Sequence, residues 1–282
     1  MAITTLTDQA GLYNSIYEDT MLVARDTTLM VQLVQQYSGT GYAPRLFPEY
    51  AQSTARNVAD GTDYVTTEIF SKSNSATLTP GEVINQFLLT DQNMATDPDG
   101  AQTKAAQELG LGMAEKIDTD LLGNFASFAG TKGTAGSALT ITHIGAAIAV
   151  LRKNKARGDI SVVLHDYGWH DIWVALGQPV VTAAFLGELA NEALRNYGVA
   201  RMIGATWYTD NNIDINASTD DAIGGVFTRD AIGFDVRKAI TLEPERDASR
   251  RATELNLTGG YGHGVVHSDH GVAVLHDAVE PA

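Results

Sequence analysis

The residues best suited to chemistry lie near the C-terminal end. His263, His267, His270 and His276 stand with Asp269 and Asp277 in "HGVVHSDHGVAVLHD". Neutral imidazole and carboxylate are good ligands for zinc or iron. On a strand, His263 and His267 share a face, because the side-chain period is two. A metal-dependent enzyme using the His263–Asp277 cluster is therefore one candidate. Against it, Gly262, Gly264 and Gly271 interrupt the segment, no HExxH helix is present, and short motifs match by chance often. The plainer alternative is turn and strand histidines on a solvated sheet edge.

Other motifs are weaker. In "LHDYGWHD" (164–171), His165 or His170 could act as a general base with Asp166 or Asp171. His170 and Asp171 are adjacent on a predicted helix, however, so their side chains diverge. Asp166 is better read as a helix cap. "GGYGHG" (259–264) lies between strands and has no lysine or helix N-terminus for a phosphate; a bulge or tight turn is expected there. "RKNKAR" (152–157) and "RDASRR" (246–251) are the basic clusters. Without interleaved aromatics for base stacking, dipole compensation and salt bridges suit them better than nucleic acid. No catalytic residue, cofactor-binding residue or metal ligand is assigned, and no cofactor is expected.

Bulk properties narrow the class. The 282 residues carry 19 Lys and Arg against 34 Asp and Glu, a formal charge of −15. So acidic a chain does not grip nucleic acid over its whole surface, and it repels its own copies at long range. Self-association must then rest on large, well-fitted contacts. With no cysteine, disulfides and Cys-ligated zinc are excluded. The start "MAITTLTDQAGLYN" has neither the basic nor the apolar region of a secretory signal. No apolar run approaches the roughly 18 residues of a membrane span, so a cytoplasm-like compartment is expected.

The elements that must position these residues are unusual. Residues 1–50 read as an arm whose apolar residues (Met21, Leu22, Val23, then Leu29 to Val34) are too dense for a solvated tail. Pro44 and Pro48 impose an extended path after it. "VTTEIFSKSNSATLTPGEVINQF" (65–87) reads as a hairpin: Val65 to Phe70 and Val83 to Phe87 as strands, Ser71 to Ala76 as the turn. Its own chain offers little to cover it. "DPDG" (97–100) starts a helix, with Pro98 in the first position. Ala105, Leu109, Met113, Ile117 and Leu121 then recur every four residues. Followed to Ala126, this rod is about 43 Å long; Gly110, Gly112 and Gly123 are read as points of close approach. "AGTKGTAGSALT" (129–140) reads as a linker. Beyond it come a helix from Thr142 stopped by Gly158, a strand at 160–165, helices from Asp166 and at 183–198, and a run of strands. The class is α+β with a mixed sheet.

That order resembles the major capsid proteins of tailed bacteriophages, a fold shared with herpesvirus shells and encapsulins. "YEDTMLVARDTTLMVQLV" resembles the arm leading into the family's extended loop. "VADGTD", "ATLTPGEV" and "FLLTDQ" resemble that loop's strands. "LGLGMAEKIDTDLLGNF" resembles the spine helix, "VVLHDYGWHDI" the axial-domain start and "HGVAVLHDA" the closing strand. The resemblance implies an N-terminal arm (1–50), an extended β-hairpin loop (51–91) and a spine helix with part of a peripheral domain (92–140). It further implies an axial domain (141–235) and return strands of the peripheral domain (236–282).

The implied function is a head protein that self-assembles into hexamers and pentamers of an icosahedral shell around double-stranded DNA. Implied partners are other copies of the chain, a scaffolding protein, a portal, a decoration protein and weakly held DNA, with no membrane. The implied location is the virion capsid, assembled in the host cytoplasm. The hairpin would then lie across an adjacent subunit, and the spine would change curvature between precursor and mature shells. Some relatives cross-link through a loop lysine; Lys72 is the loop's only lysine, and no partner for it is identifiable. Some relatives carry an N-terminal scaffolding segment, whereas this sequence starts at the arm. The alternatives are an encapsulin-type compartment, the metal enzyme above, and a phage tail or adhesin component.

Overall fold

The computed structural model describes residues 29–50, 55, 57–62, 72–96, 98–177 and 201–281. Most of the arm, the strand expected at 65–70 and the helix expected at 183–198 lie outside the described residues.

One long helix ties two sheets together. Helix α1 (Met30–Leu33) leads into β1 (Gln35–Ser38) and β2 (Arg45–Tyr50). Strands β3 (Lys72–Leu78) and β4 (Gly81–Thr90) come next, then α2 (Asp91–Thr96) and the long α3 (Pro98–Leu122). Helix α3 starts at Pro98 as its sequence predicts. It ends earlier than the apolar period suggests, because Gly123–Ser127 tightens into a 3-10 turn. Its 25 residues span about 38 Å. Ala105, Leu109, Met113, Ile117 and Leu121 are all buried, the expected stripe. Gly112 meets a neighbour, since a Cβ there would lie 2.7 Å from the Asn85 amide nitrogen; Gly123 faces open space, so it is no point of close approach.

After α3 come β5 (Gly130–Gly133), α4 (Ile141–Lys153), β6 (Ile160–Leu164) and α5 (Asp166–Gly177). Strands β7 (Arg201–Met202), β8 (Ala205–Thr209), β9 (Asp221–Thr228), β10 (Ile232–Asp247), β11 (Ala252–Val265) and β12 (Gly271–Asp277) complete the described chain. A four-stranded sheet runs β1-β10-β11-β4, a six-stranded sheet β5-β12-β9-β6-β8-β7, and β2-β3 stand apart as a two-stranded ribbon. Both larger sheets are mixed: β1 is parallel to β10, β5 to β12 and β6 to β8. Strand β6 is buried on both faces. Val162 and Leu164 pack with Ile144, Ile148 and Leu151 of α4 and Trp169 and Ile172 of α5, while Val163 joins the core around α3. Burial on both sides explains its unbroken apolar sequence.

Several expectations need correction. Residues 72–76 are no turn, because Lys72–Leu78 is a strand. It pairs antiparallel with Arg45–Tyr50 and not with 83–87. Strand β4 instead pairs with β11, from Thr90↔Ala252 to Gly81↔Tyr261. The supposed linker 129–140 contributes β5. A boundary at 235/236 falls inside β10, and β12, expected among the return strands of the peripheral domain, lies in the six-stranded sheet. Strand pairing across hundreds of residues outweighs the local composition that suggested these limits.

Two helix ends also differ. At the end of α4, Lys155 takes the left-handed conformation (φ 60°). Its N–H bonds to the Arg152 carbonyl, and that of Ala156 to the Leu151 carbonyl. This is the Schellman arrangement, which favours glycine at the left-handed residue; Gly158 lies farther out. Lys155→Gly is expected to stabilise the fold by about 1 kcal/mol, read as a higher urea midpoint. At the start of α5, the cap is His165, whose imidazole Nδ1 accepts the Tyr167 N–H at 3.1 Å. Asp166 follows as the first helical residue, where its charge suits the helix dipole.

Candidate functional site

The ribbon β2–β3 carries large apolar residues that the described chain leaves exposed. An isolated two-stranded ribbon is marginal in water. Here Leu46 is 58% exposed and Tyr50 52%, with Tyr42 also open at its root. Pro48 sits in β2 opposite Ser75, and it is tolerated because the ribbon is all edge. The adjoining β4 presents a second open surface, with Ile84 60% exposed and Leu88 beside it on the same face. The opposite face of β4 meets α3 at Asn85, whose side chain donates to the Leu109 carbonyl at 3.1 Å, while Phe87 on that face stays 39% exposed.

What holds the ribbon's root is specific. Gly233 and Gly264 are cross-strand partners on β10 and β11. Their missing side chains leave a hollow that Leu78 fills: a Cβ on Gly233 would lie 2.9 Å, and one on Gly264 3.0 Å, from its methyl groups. A Cβ on Gly262 would lie 3.0 Å from the Thr79–Pro80 backbone, and one on Gly260 2.7 Å from the Tyr42 hydroxyl. The "GGYGHG" run is therefore a continuous strand over which another segment crosses. The turn or bulge expected at 259–264 is not there; the ladder irregularities lie on the β10 side, between Val236 and Thr241.

A buried ion triad completes the root. Asp235 of β10 is fully buried and accepts from Arg45 Nε at 2.9 Å and from Arg237 Nε at 2.9 Å. The second nitrogens of Arg45 and Arg237 lie 3.2 and 2.7 Å from the same carboxylate. Burial acts to raise the Asp235 pKa, but the hydrogen bonds from Arg45 and then Arg237 outweigh it and hold the group below its ordinary range. Arg45 also lies over the Tyr37 ring at 5.2 Å, and Tyr37 meets Phe47 at 5.1 Å. The ribbon is thus fixed at one end and open along its length.

A second anchor ties the N-terminal side to α3. Asp118 is buried and accepts the N–H groups of Leu29 and Met30, each at 3.2 Å. Burial pushes its pKa up to about 6, with the Met30 N–H opposing and Asp210 adding to the rise. The folded state therefore holds this proton more tightly than the unfolded chain between about pH 4 and 6. Stability from this group is lost as pH rises through about 6 and regained on acidification. Wild type is expected to gain about 1 kcal/mol from Asp118 between pH 7 and pH 5. Asp118→Asn is expected to lose that increment when urea midpoints at the two pH values are compared.

The histidines are dispersed. His263 meets Asn124 at 3.0 Å, and burial lowers its pKa. His270 lies 2.8 Å from Asp230, and its ring is 5.2 Å from that of His267. His276 is fully buried on β12 against Gly168. Among the described residues no three His, Asp or Glu side chains converge on a metal position, so the His263–Asp277 cluster is not assembled into a site. His165 is spent on the α5 cap, and the Asp171 carboxylate accepts the Leu139 N–H at 3.1 Å. The basic run 246–251 is paired internally: Arg246 with Asp91 at 2.6 Å, and Arg250 with Glu254 at 3.2 Å. Lys72 stands exposed on β3, opposite Tyr50. No described helix is long and apolar enough to cross a membrane. The Asp235 triad was missed at the sequence level because Arg45 lies 190 residues away.

Comparison with known proteins agrees with this architecture. A family model described as phage capsid protein matches residues 75–275. No curated protein matches. A chain from Mycobacterium phage Che8 is 17% identical and superposes at a TM-score of 0.70, over 88% of this chain and 90% of that one. A chain from the capsid of cyanophage P-SCSP1u is 14% identical at 0.68, over 89% of each. A chain from a virus-like particle of Pyrococcus furiosus is 11% identical at 0.61, over 93% and 98%. At such identities the likeness carries the fold, and the family match carries the assignment. The chain belongs to the phage capsid protein family, with the α+β fold of a tailed-phage major capsid protein, and is a structural protein of the bacteriophage head.

Proposed function

We propose that this protein assembles into hexamers and pentamers of an icosahedral shell that encloses a double-stranded DNA genome. The observation that carries the proposal is the ribbon β2–β3, rigidly rooted by the Asp235 triad yet apolar and uncovered at Leu46 and Tyr50. A neighbouring copy supplies the cover. Obligate contacts of that kind bury over about 2,000 Å² in total, enough to offset the repulsion of a −15 charge. In this scheme the ribbon belongs to the extended loop and α3 is the spine. The four-stranded sheet belongs to the peripheral domain and the six-stranded sheet with α4 and α5 to the axial domain. Assembly takes place in the host cytoplasm with a scaffolding protein and a portal, and a decoration protein binds outside. The acidic balance keeps contact with the packaged DNA weak.

Electron microscopy of the purified protein tests this. Closed shells, or rings of five and six subunits, are expected, with a scaffold supplied where the chain alone does not close. A monomer that stays compact with scaffold present would contradict it. A second reading, a compartment shell without a genome, draws support from the match to the Pyrococcus furiosus virus-like particle over 98% of that chain. Double-stranded DNA inside particles from their natural source separates the two.

A further inference from the structure

A cleft of about 570 Å³ lies between the end of α3 and the loop 212–217. Leu122, Ala126, Ile213, Ile215 and Ile223 supply its apolar part beside polar residues of the loop and Asp221, and Thr119 begins its wall. Ala126 and the neighbouring Gly123 are exposed on the helix side, and nothing stands within 4 Å of where a Gly123 Cβ would be. A segment can therefore lie close against the helix there.

The described chain begins beside this cleft. Leu29 and Met30 are pinned through their N–H groups to Asp118, the residue before Thr119. Met30 and Ile213 belong to the same buried cluster. Upstream of Leu29 the sequence holds an apolar triplet, Met21, Leu22 and Val23, with polar Asp19, Thr20 and Arg25, Asp26 on its flanks. From Val23 to Leu29 the chain reaches at most about 20 Å. That reach covers a cleft whose wall starts one residue from the anchor.

We propose that Met21, Leu22 and Val23 dock in this cleft of their own chain, folding the arm back along the end of α3. Tethering favours the chain's own segment over one from another copy, because a short linker gives an effective concentration in the millimolar range. The docked triplet shields apolar surface that the described chain leaves open. It also joins α3 to the loop that leads into β9, so the arm braces the two sheets against each other. The inference does not depend on how many subunits the shell contains.

The absence of cysteine makes a direct test available. Two full-length double variants, Val23→Cys with Ala126→Cys and Leu22→Cys with Ala126→Cys, are oxidised and run without reductant. A linked peptide within one chain, migrating as monomer, is expected for at least one pair. Co-expressed single variants should give no dimer. Dimers from the co-expressed singles would mean that a second copy fills the cleft, and the proposal would be overturned. In parallel, Leu22→Asp is compared with wild type by hydrogen exchange. Residues 119–126 and 212–217 are expected to exchange at least tenfold faster, with α4 and β6 unchanged. Equal exchange in the two proteins, or no link in either double variant, would also overturn it.

Discussion

Asp235→Ala is expected to be the most damaging single change near the ribbon, costing about 3–5 kcal/mol. The carboxylate is fully buried and holds two guanidinium groups, and the Arg237 side chain is only 8% exposed. Removing it leaves that cation with backbone carbonyls at Thr40 and Gly41 but no counter-charge, which is far costlier than losing an exposed pair such as Lys238–Glu82. Arg45 keeps its bond to the Ser38 carbonyl but loses the ion pair that ties β2 to β10. Two readouts are expected to move together: the urea midpoint falls, and protease cuts within 45–78 at lower doses. A loss under 1 kcal/mol with unchanged cutting would show that Leu78 in its glycine hollow holds the root unaided. The pH dependence has a definite sign. The folded pKa is depressed, so the stability from Asp235 is present above the ordinary carboxylate range and is lost only as pH falls below it.

The second large effect concerns assembly and leaves the subunit intact. Leu46→Asp combined with Tyr50→Asp changes two residues that are 58% and 52% exposed. Subunit stability is expected to stay within about 0.5 kcal/mol of wild type. At a subunit interface the same side chains bury apolar area worth roughly 1.5–3 kcal/mol each. Losing both, and burying two carboxylates in their place, is expected to raise the concentration needed for shell formation at least 100-fold. Sedimentation velocity at increasing protein concentration measures this. Shells at the wild-type threshold would mean that the ribbon contributes nothing to association.

Where the sequence was legible, the signal was local and periodic. The stripe from Ala105 to Leu121 repeats every four residues, and the structure buries each member. The apolar run 160–164 is a strand because both of its faces meet core. The ribbon was illegible for the opposite reason. Strand β3 is mostly polar, β2 contains Pro48, and their pairing is set by residues far apart in the chain. The segment 71–76 has turn composition, yet its described part from Lys72 on is a strand that leads to Leu78, docked between Gly233 and Gly264. Glycine itself gives an ambiguous signal. In 259–264 it admits a crossing segment, and at Gly158 it suggested a helix stop that Lys155 provides at a cost in backbone strain. The cap of α5 was displaced by one residue, because an imidazole did what an adjacent carboxylate was expected to do. The candidate site rests on Arg45 meeting Asp235, a contact that no local pattern encodes.

The most direct test of the account is hydrogen exchange in the ribbon, residues 45–50 and 72–78, before and after assembly. The account predicts fast exchange in dissociated subunits beyond the root at Arg45 and Leu78, and strong protection in assembled particles, where a neighbour covers the strands. Equal protection in both states would contradict it, because the ribbon would then be covered by its own chain and would need no partner.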